Sequence, residues 1–173
     1  MLRRVVLERA IEGAAVMFSA LALIAAAPAD DFPRMSIARV IEGLVVFVVL
    51  SVVLAVQRGR RLRAAKNLTG PVRLEPTQRT LRDGVLAVAV VVGPLGAIAL
   101  ASGEGVVRFG ALLLGAALAR LVDAFAFRRR EARAGMHAYR HGRFSLFAGA
   151  GAQLWLRSSR SPAPQSNVTS VSS

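Results

Sequence analysis

The chain has 173 residues, 54% of them hydrophobic, and a formal net charge of +13 at pH 7. It contains no cysteine, which excludes disulfides, thiolate-zinc centres and thiol nucleophiles. Its apolar residues stand in long blocks instead of alternating with charge, so the pattern is that of a membrane protein, and the basic excess points to anionic lipid, not nucleic acid.

Four apolar runs, at 10–29, 40–56, 84–102 and 105–127, are near the ~20 helical residues that cross a hydrocarbon layer. They predict an all-α integral membrane fold over residues 1–134: a four-transmembrane-helix bundle of two antiparallel hairpins. Runs such as VLAVAVVV at 85–92 are apolar on every side, which argues against a barrel.

The first run follows Arg3, Arg4 and Arg9. This start also resembles a secretory signal, with Ala27-Pro28-Ala29 ahead of Asp30, and cleavage there would leave three spans. Glu8, Glu12 and the length of the run favour a first span instead. A link at 28–36 carries Asp30 and Asp31 against Arg34, and the second run follows it. The segment 57–83 is strongly basic and is broken at Gly70-Pro71. In the third run Pro94 predicts a bend. The turn SGEG at 102–105 then carries Glu104 and no base.

After the fourth run come Arg128, Arg129, Arg130, Arg133, Arg140 and Arg143. The basic segments and the acidic links fall on opposite sides of a four-span chain, which places both termini in the cytoplasm. Residues 135–156 read as a cytoplasmic or interfacial segment with Trp155 at headgroup depth, and the Ser/Pro-rich 157–173 as a disordered tail. Arg58, Arg60, Arg61, Arg63, Arg128, Arg129 and Arg130 are the expected lipid-headgroup residues.

Helices in lipid associate through small residues. Ala89, Gly93, Ala97 and Ala101 of the third run and Ala111, Gly115 and Ala119 of the fourth recur every four residues, so these stripes are expected to meet within the second hairpin. Charges inside the runs are costly. Arg9/Glu12, Arg39/Glu42 and Arg120/Asp123 are each spaced i,i+3, close enough to neutralise one another and near enough to helix ends to snorkel. Glu12, Arg120 and Asp123 form the candidate intramembrane polar site, and Glu42 with Arg108 a candidate outer pair. The pentapeptide RAIEG at 9–13 recurs as RVIEG at 39–43.

His137 and His141, at i,i+4, have no third metal ligand in sequence reach, and no nucleophile triad or phosphate loop is present. The sequons at Asn67 and Asn167 fall on the cytoplasmic side. The expectation is therefore a non-enzymatic accessory or scaffold subunit with no cofactor and no metal. It would pack as a homo-oligomer or against another membrane protein, and hold anionic lipid on its cytoplasmic face. The alternative is a small oligomeric transporter or channel using Glu12, Asp123 and Arg120. An enzyme acting on lipid would have only His137, His141 and Glu131 to work with. The accessory reading expects tolerance of Asp123→Asn; the transport reading expects loss of flux.

Overall fold

A computed structural model describes residues 2–27, 37–68, 75–102, 105–141 and 154–158. The links at 28–36 and 103–104, the Gly70-Pro71 break and residues 159–173 of the expected tail lie outside the described residues, while Arg157 and Ser158, expected in that tail, belong to a strand. Among the described residues there are four helices: α1 (Val5–Ala25), α2 (Ile37–Arg63), α3 (Thr77–Ser102) and α4 (Val106–Ala134). Three of them, α2, α3 over Thr77–Ala101 and α4, are long and apolar enough to cross a membrane. Within α1, Glu8, Arg9 and Glu12 sit close together, and the predicted first span continues past Ala27 into residues outside the described set. α4, at 29 residues, is ~44 Å long, more than the ~30 Å of a hydrocarbon core. Gly135, at φ 59°, ends α4 in the left-handed conformation, its N–H bonded to the Glu131 carbonyl. α3 continues through Pro94.

Helix α4 is the spine. α1 runs antiparallel along it: Gly110 lies against Ala20 and Ile24, and Gly13 against Leu121. α2 runs parallel to α4 on another side, with Gly43 against Ala111 and Gly115. α3 lies on α1, also parallel, through Gly96 against Leu23 and through Val88 and Val92 against Val16. Packing is thus between α1 and α4, α2 and α4, and α1 and α3, while α3 touches α4 only slightly. The expected pairing of sequence neighbours into two tight hairpins is not what holds the bundle.

The small-residue stripe predicted for α3 is corrected accordingly. Ala89, Gly93, Ala97 and Ala101 are exposed, and a Cβ at Gly93 would meet nothing within 4 Å. The buried positions are Thr80, Gly84, Val88, Val92 and Gly96. Both sets recur every four residues, so both are legitimate helix faces. The interface took the one that offers Gly96 for approach and valines for contact area. On α4 the stripe is buried as expected at Gly115 and Ala119, with Ala111 partly covered, but its partner is α2, not α3.

A second difference is a four-stranded sheet at one end of the bundle: β1 (Leu2–Arg4), β2 (Lys66–Asn67), β3 (Met136–His141) and β4 (Leu154–Ser158). Its order is β1-β3-β4-β2. β1/β3 and β3/β4 are antiparallel and β2/β4 is parallel. The all-α expectation and the interfacial reading of 135–156 both missed it. The strands are short, and three of the four come from separate basic segments that only the helices bring together. Trp155 sits in register with Tyr139 and Lys66, half-buried in a strand. Ala138 and Leu154 of the sheet close over Val5 and Phe127 to make one core cluster. A second cluster, Val16, Val88, Val92 and Ala117, lies mid-bundle. A third, Ala27, Val106 and Val107, closes the far end.

Candidate functional site

Glu8 and Glu12 lie one helical turn apart on α1 and are 2% and 3% exposed; Asp123 on α4 is 2% exposed. A buried carboxylate is costly unless paired, and each of these is paired with arginine. Arg140 Nη2 donates to Glu8 at 2.6 Å, and Arg120 lies 3.1 Å from Glu12. Asp123 takes two arginines, Arg9 from α1 and Arg58 from α2, the latter at 2.5 Å. The Arg9 guanidinium also stacks over Phe127, 4.9 Å from the ring centroid.

These pairs are an exchange of the expected ones. Arg9/Glu12 and Arg120/Asp123 were expected within their own helices. Because α1 and α4 are antiparallel, residue 9 stands level with 123 and 12 with 120, so each arginine reaches the acid of the other helix. The groups are buried in the interface and do not snorkel outward. Glu12, Arg120 and Asp123 do converge on one region, but Asp123 belongs to Arg9 and Arg58 there.

The candidate outer pair is present: Arg108 Nε donates to Glu42 at 2.9 Å, with Arg39 3.0 Å away on the same carboxylate. The repeated pentapeptide consequently does the same work twice. In RAIEG, Glu12 takes an α4 arginine and Gly13 lets α4 approach through Leu121. In RVIEG, Glu42 takes an α4 arginine and Gly43 lies against the Ala111 carbonyl.

At the sheet end, Arg3 bonds both Glu75 and Asp83, tying β1 to the start of α3. The Arg3 hydrogen bond and charge hold the Glu75 carboxyl below its ordinary value, while the same bond raises Arg3. Glu131 accepts the Ala138 N–H at 2.7 Å, with Arg4 and His137 beside its other oxygen. Nothing is described of the His141 side chain.

Of the arginines expected at headgroups, Arg60, Arg63, Arg128, Arg129 and Arg130 are exposed. Arg58 is not one of that set in practice: its side chain is 14% exposed and engaged by Asp123. Arg61 lines an interhelical cavity of about 370 Å³ together with Glu8, Arg9, Glu12, Arg120 and Arg140. Apart from Gln57, the remaining wall of this cavity is apolar; it comes from all four helices, including Leu50 and Leu54 of α2, Val92 of α3 and Leu113 of α4, and from Leu154 of β4. A separate cavity of about 410 Å³, almost wholly apolar, lies under the sheet against Leu62 and Phe127.

The sequence contained a signal for Glu8, since Glu8 and Glu12 share a helix face. It contained none for Arg140 or Arg58, whose partners lie 132 and 65 residues away. Chemically, the site is an arginine-carboxylate network beside an apolar cavity, with no nucleophile and base in contact among its members. Comparison with protein families, with characterised proteins and with solved structures found no match.

Proposed function

We propose that the protein is a multi-pass, four-span membrane scaffold or accessory subunit, with its basic sheet end and both termini in the cytoplasm. It packs within the bilayer against another copy or another membrane protein, and its cytoplasmic face holds anionic lipid. The observation that carries this is the distribution of apolar side chains. On α2, Val40, Leu44, Val48, Val52 and Val56 form one exposed stripe, and the outward faces of α3 are similar. An apolar surface of that extent needs lipid or a partner. The buried carboxylates Glu8, Glu12 and Asp123 of the helices are meanwhile paired with arginine inside. The arginines left exposed, such as Arg60, Arg63 and Arg128 to Arg130, sit at the sheet end, where the positive-inside rule assigns the cytoplasm.

The test has two parts. A reporter fused after residue 173 is expected to read out in the cytoplasm; an external readout rejects the topology. Purification in gentle detergent is expected to recover a defined complex or oligomer; a monomer indifferent to lipid charge rejects the accessory reading. The charged lining of the interhelical cavity is what speaks for the alternative, transport through Glu12, Asp123 and Arg120. That reading requires ion or solute flux in proteoliposomes, abolished by Glu12→Gln in protein that remains folded.

A further inference from the structure

The cavity under the sheet has an apolar wall and a basic mouth. The wall is Leu62 of α2, Phe127 of α4, Met136 and Ala138 of β3 and Leu156 of β4. Ala138 and Leu156 stand opposite each other in register, so both point to the face of the sheet that covers the cavity. Arg130 and Arg133 complete the lining. They are exposed and spaced i,i+3, on one face of α4. Among the described residues no acid pairs with either of them. The acid in the lining, Glu131, is 7% exposed and engaged elsewhere: one oxygen accepts the Ala138 N–H at 2.7 Å, and the other lies beside Arg4 and His137. The volume is about 410 Å³, inside the ~300–1,000 Å³ range of small-molecule sites. Apolar walls of this kind offer water few hydrogen bonds.

We propose that this cavity binds the tail of one long-chain fatty acid, with the carboxylate held between Arg130 and Arg133. At ~30 Å³ per methylene, close to the share of one water molecule in the liquid, the space takes a single chain of about twelve carbons, not two. A diacyl lipid is therefore too large to enter whole. A small anion would use the two arginines and leave the apolar wall uncovered, and a neutral chain would do the reverse. A single-chain acid satisfies both. Arginine suits the head because its planar fork meets both carboxylate oxygens, and two forks a helical turn apart repel less once an anion lies between them. The supply of ligand from the adjoining leaflet rests on the membrane reading proposed above; the site itself does not. It also differs from the lipid-holding face, which requires neither a cavity nor a single chain.

The experiment is native mass spectrometry of the purified full chain, released from micelles doped with dodecanoic acid or dodecanol at a pH where the acid is ionised. The expected result is one retained dodecanoate per chain, about tenfold more than dodecanol. Arg130→Gln combined with Arg133→Gln should lower retention of the acid about tenfold, the size of one charge-assisted hydrogen bond, and leave the alcohol unchanged. Met136→Trp, or Leu62→Trp from the opposite wall, fills the cavity without touching a charge and should abolish retention of both. Arg128→Gln combined with Arg129→Gln, outside the cavity, should change nothing. Equal loss in the two double-arginine variants identifies general attraction of anions to the basic face; it overturns the cavity site and leaves the lipid-holding reading standing. Acid and alcohol retained equally overturn the role of Arg130 and Arg133. Several acids per chain, rising with concentration, mark unspecific attachment and overturn the site. Tryptophan variants that alter the oligomeric state, with no acid retained by the unaltered chain, assign the cavity to a neighbouring copy and also overturn it. Circular dichroism of each variant separates lost binding from lost fold.

Discussion

Among the described glycines, the one with least room for a Cβ is Gly115 of α4, which lies against Gly43 of α2. A Cβ added at Gly115 would lie 2.2 Å from the Gly43 carbonyl oxygen and 3.3 Å from the Phe47 nitrogen. Ordinary carbon-oxygen contacts begin near ~3.3 Å, so Gly115→Ala forces the two helices about 1 Å apart. The obstructing atom is main chain, which no rotamer change can move. Overpacking of this kind costs ~1–3 kcal/mol, and separation also stretches Glu42–Arg108 and Arg58–Asp123, which bridge the same helix pair. Alanine for glycine in an open helix has the opposite sign, stabilising by ~0.5–1 kcal/mol. Gly93 of α3 supplies that control, since a Cβ there meets nothing within 4 Å.

Thermal unfolding in detergent should therefore move in opposite directions for the two variants, Gly115→Ala melting several degrees lower, at roughly 2–4 °C per kcal/mol, and Gly93→Ala unchanged or higher. Gly43→Ala meets the Ala111 carbonyl oxygen at 2.8 Å and relieves into the same displacement. The double variant should consequently cost less than the sum of the singles. Spin labels on cysteines introduced into this cysteine-free chain would read the α2–α4 separation directly. If Gly115→Ala melts with Gly93→Ala, or the α2–α4 distance does not grow, the glycine crossing is not what joins these helices.

Three further outcomes follow from the ion pairs. Asp123→Asn strands Arg9 and Arg58 in the interior and should cost ~3–5 kcal/mol in thermal or denaturant unfolding; the tolerance that an accessory role suggested for this change is not expected once its two partners are known. Glu42→Gln alters a pair whose arginine is 55% exposed and should cost only ~0–1 kcal/mol, so equal melting of the two variants would contradict the burial ranking. The third concerns pH. Because Arg3 holds the Glu75 carboxyl below its ordinary value of 4.5, the folded state gains stability above that value and loses it as acid titrates the lowered group. The protection factor at the Glu75 N–H, bonded to the Leu2 carbonyl, should fall on acidification below about pH 4.5, and Glu75→Gln should remove that fall; a variant whose protection keeps the same pH profile refutes the link.

Hydrophobic length alone identified α2, α3 and α4, because the cost of exposing a helix backbone to hydrocarbon leaves little freedom in how such a run folds. The three basic segments were legible as a set, and their described parts do meet at one end. Partners were not legible. Two faces of α3 have the same four-residue spacing, and composition favoured Ala89, Gly93 and Ala97, whereas contact area favoured Val88 and Val92. The i,i+3 pairs had the right members and the wrong matches, since within-helix spacing is visible in sequence and the level at which two helices cross is not. The sheet was illegible for a related reason: a three-residue strand such as Leu2–Arg4 has no signal of its own, and its partner at Tyr139–His141 lies at the other end of the chain.

The repeated pentapeptide explains why α4 is the spine. Each copy presents an acid and, next to it, a glycine, and these do complementary things. The glycine removes the Cβ that would hold two backbones apart, and the acid provides a charge that only a basic residue at the matching level can satisfy. α4 carries such residues at Arg108 and Arg120, twelve positions and so ~18 Å apart along the axis. α1 and α2 run in opposite directions, yet both are fixed to the same helix, α2 near its start and α1 at its middle. Lipid offers little hydrophobic gain for helix association, so register must come from close contact and from charge. A single Arg–Glu pair fixes a level but allows rotation about it, while a glycine crossing fixes a face but allows sliding. Together, one residue apart, they fix both at that crossing, and Asp123, with Arg9 of α1 and Arg58 of α2, holds the same two helices to α4 at a second level.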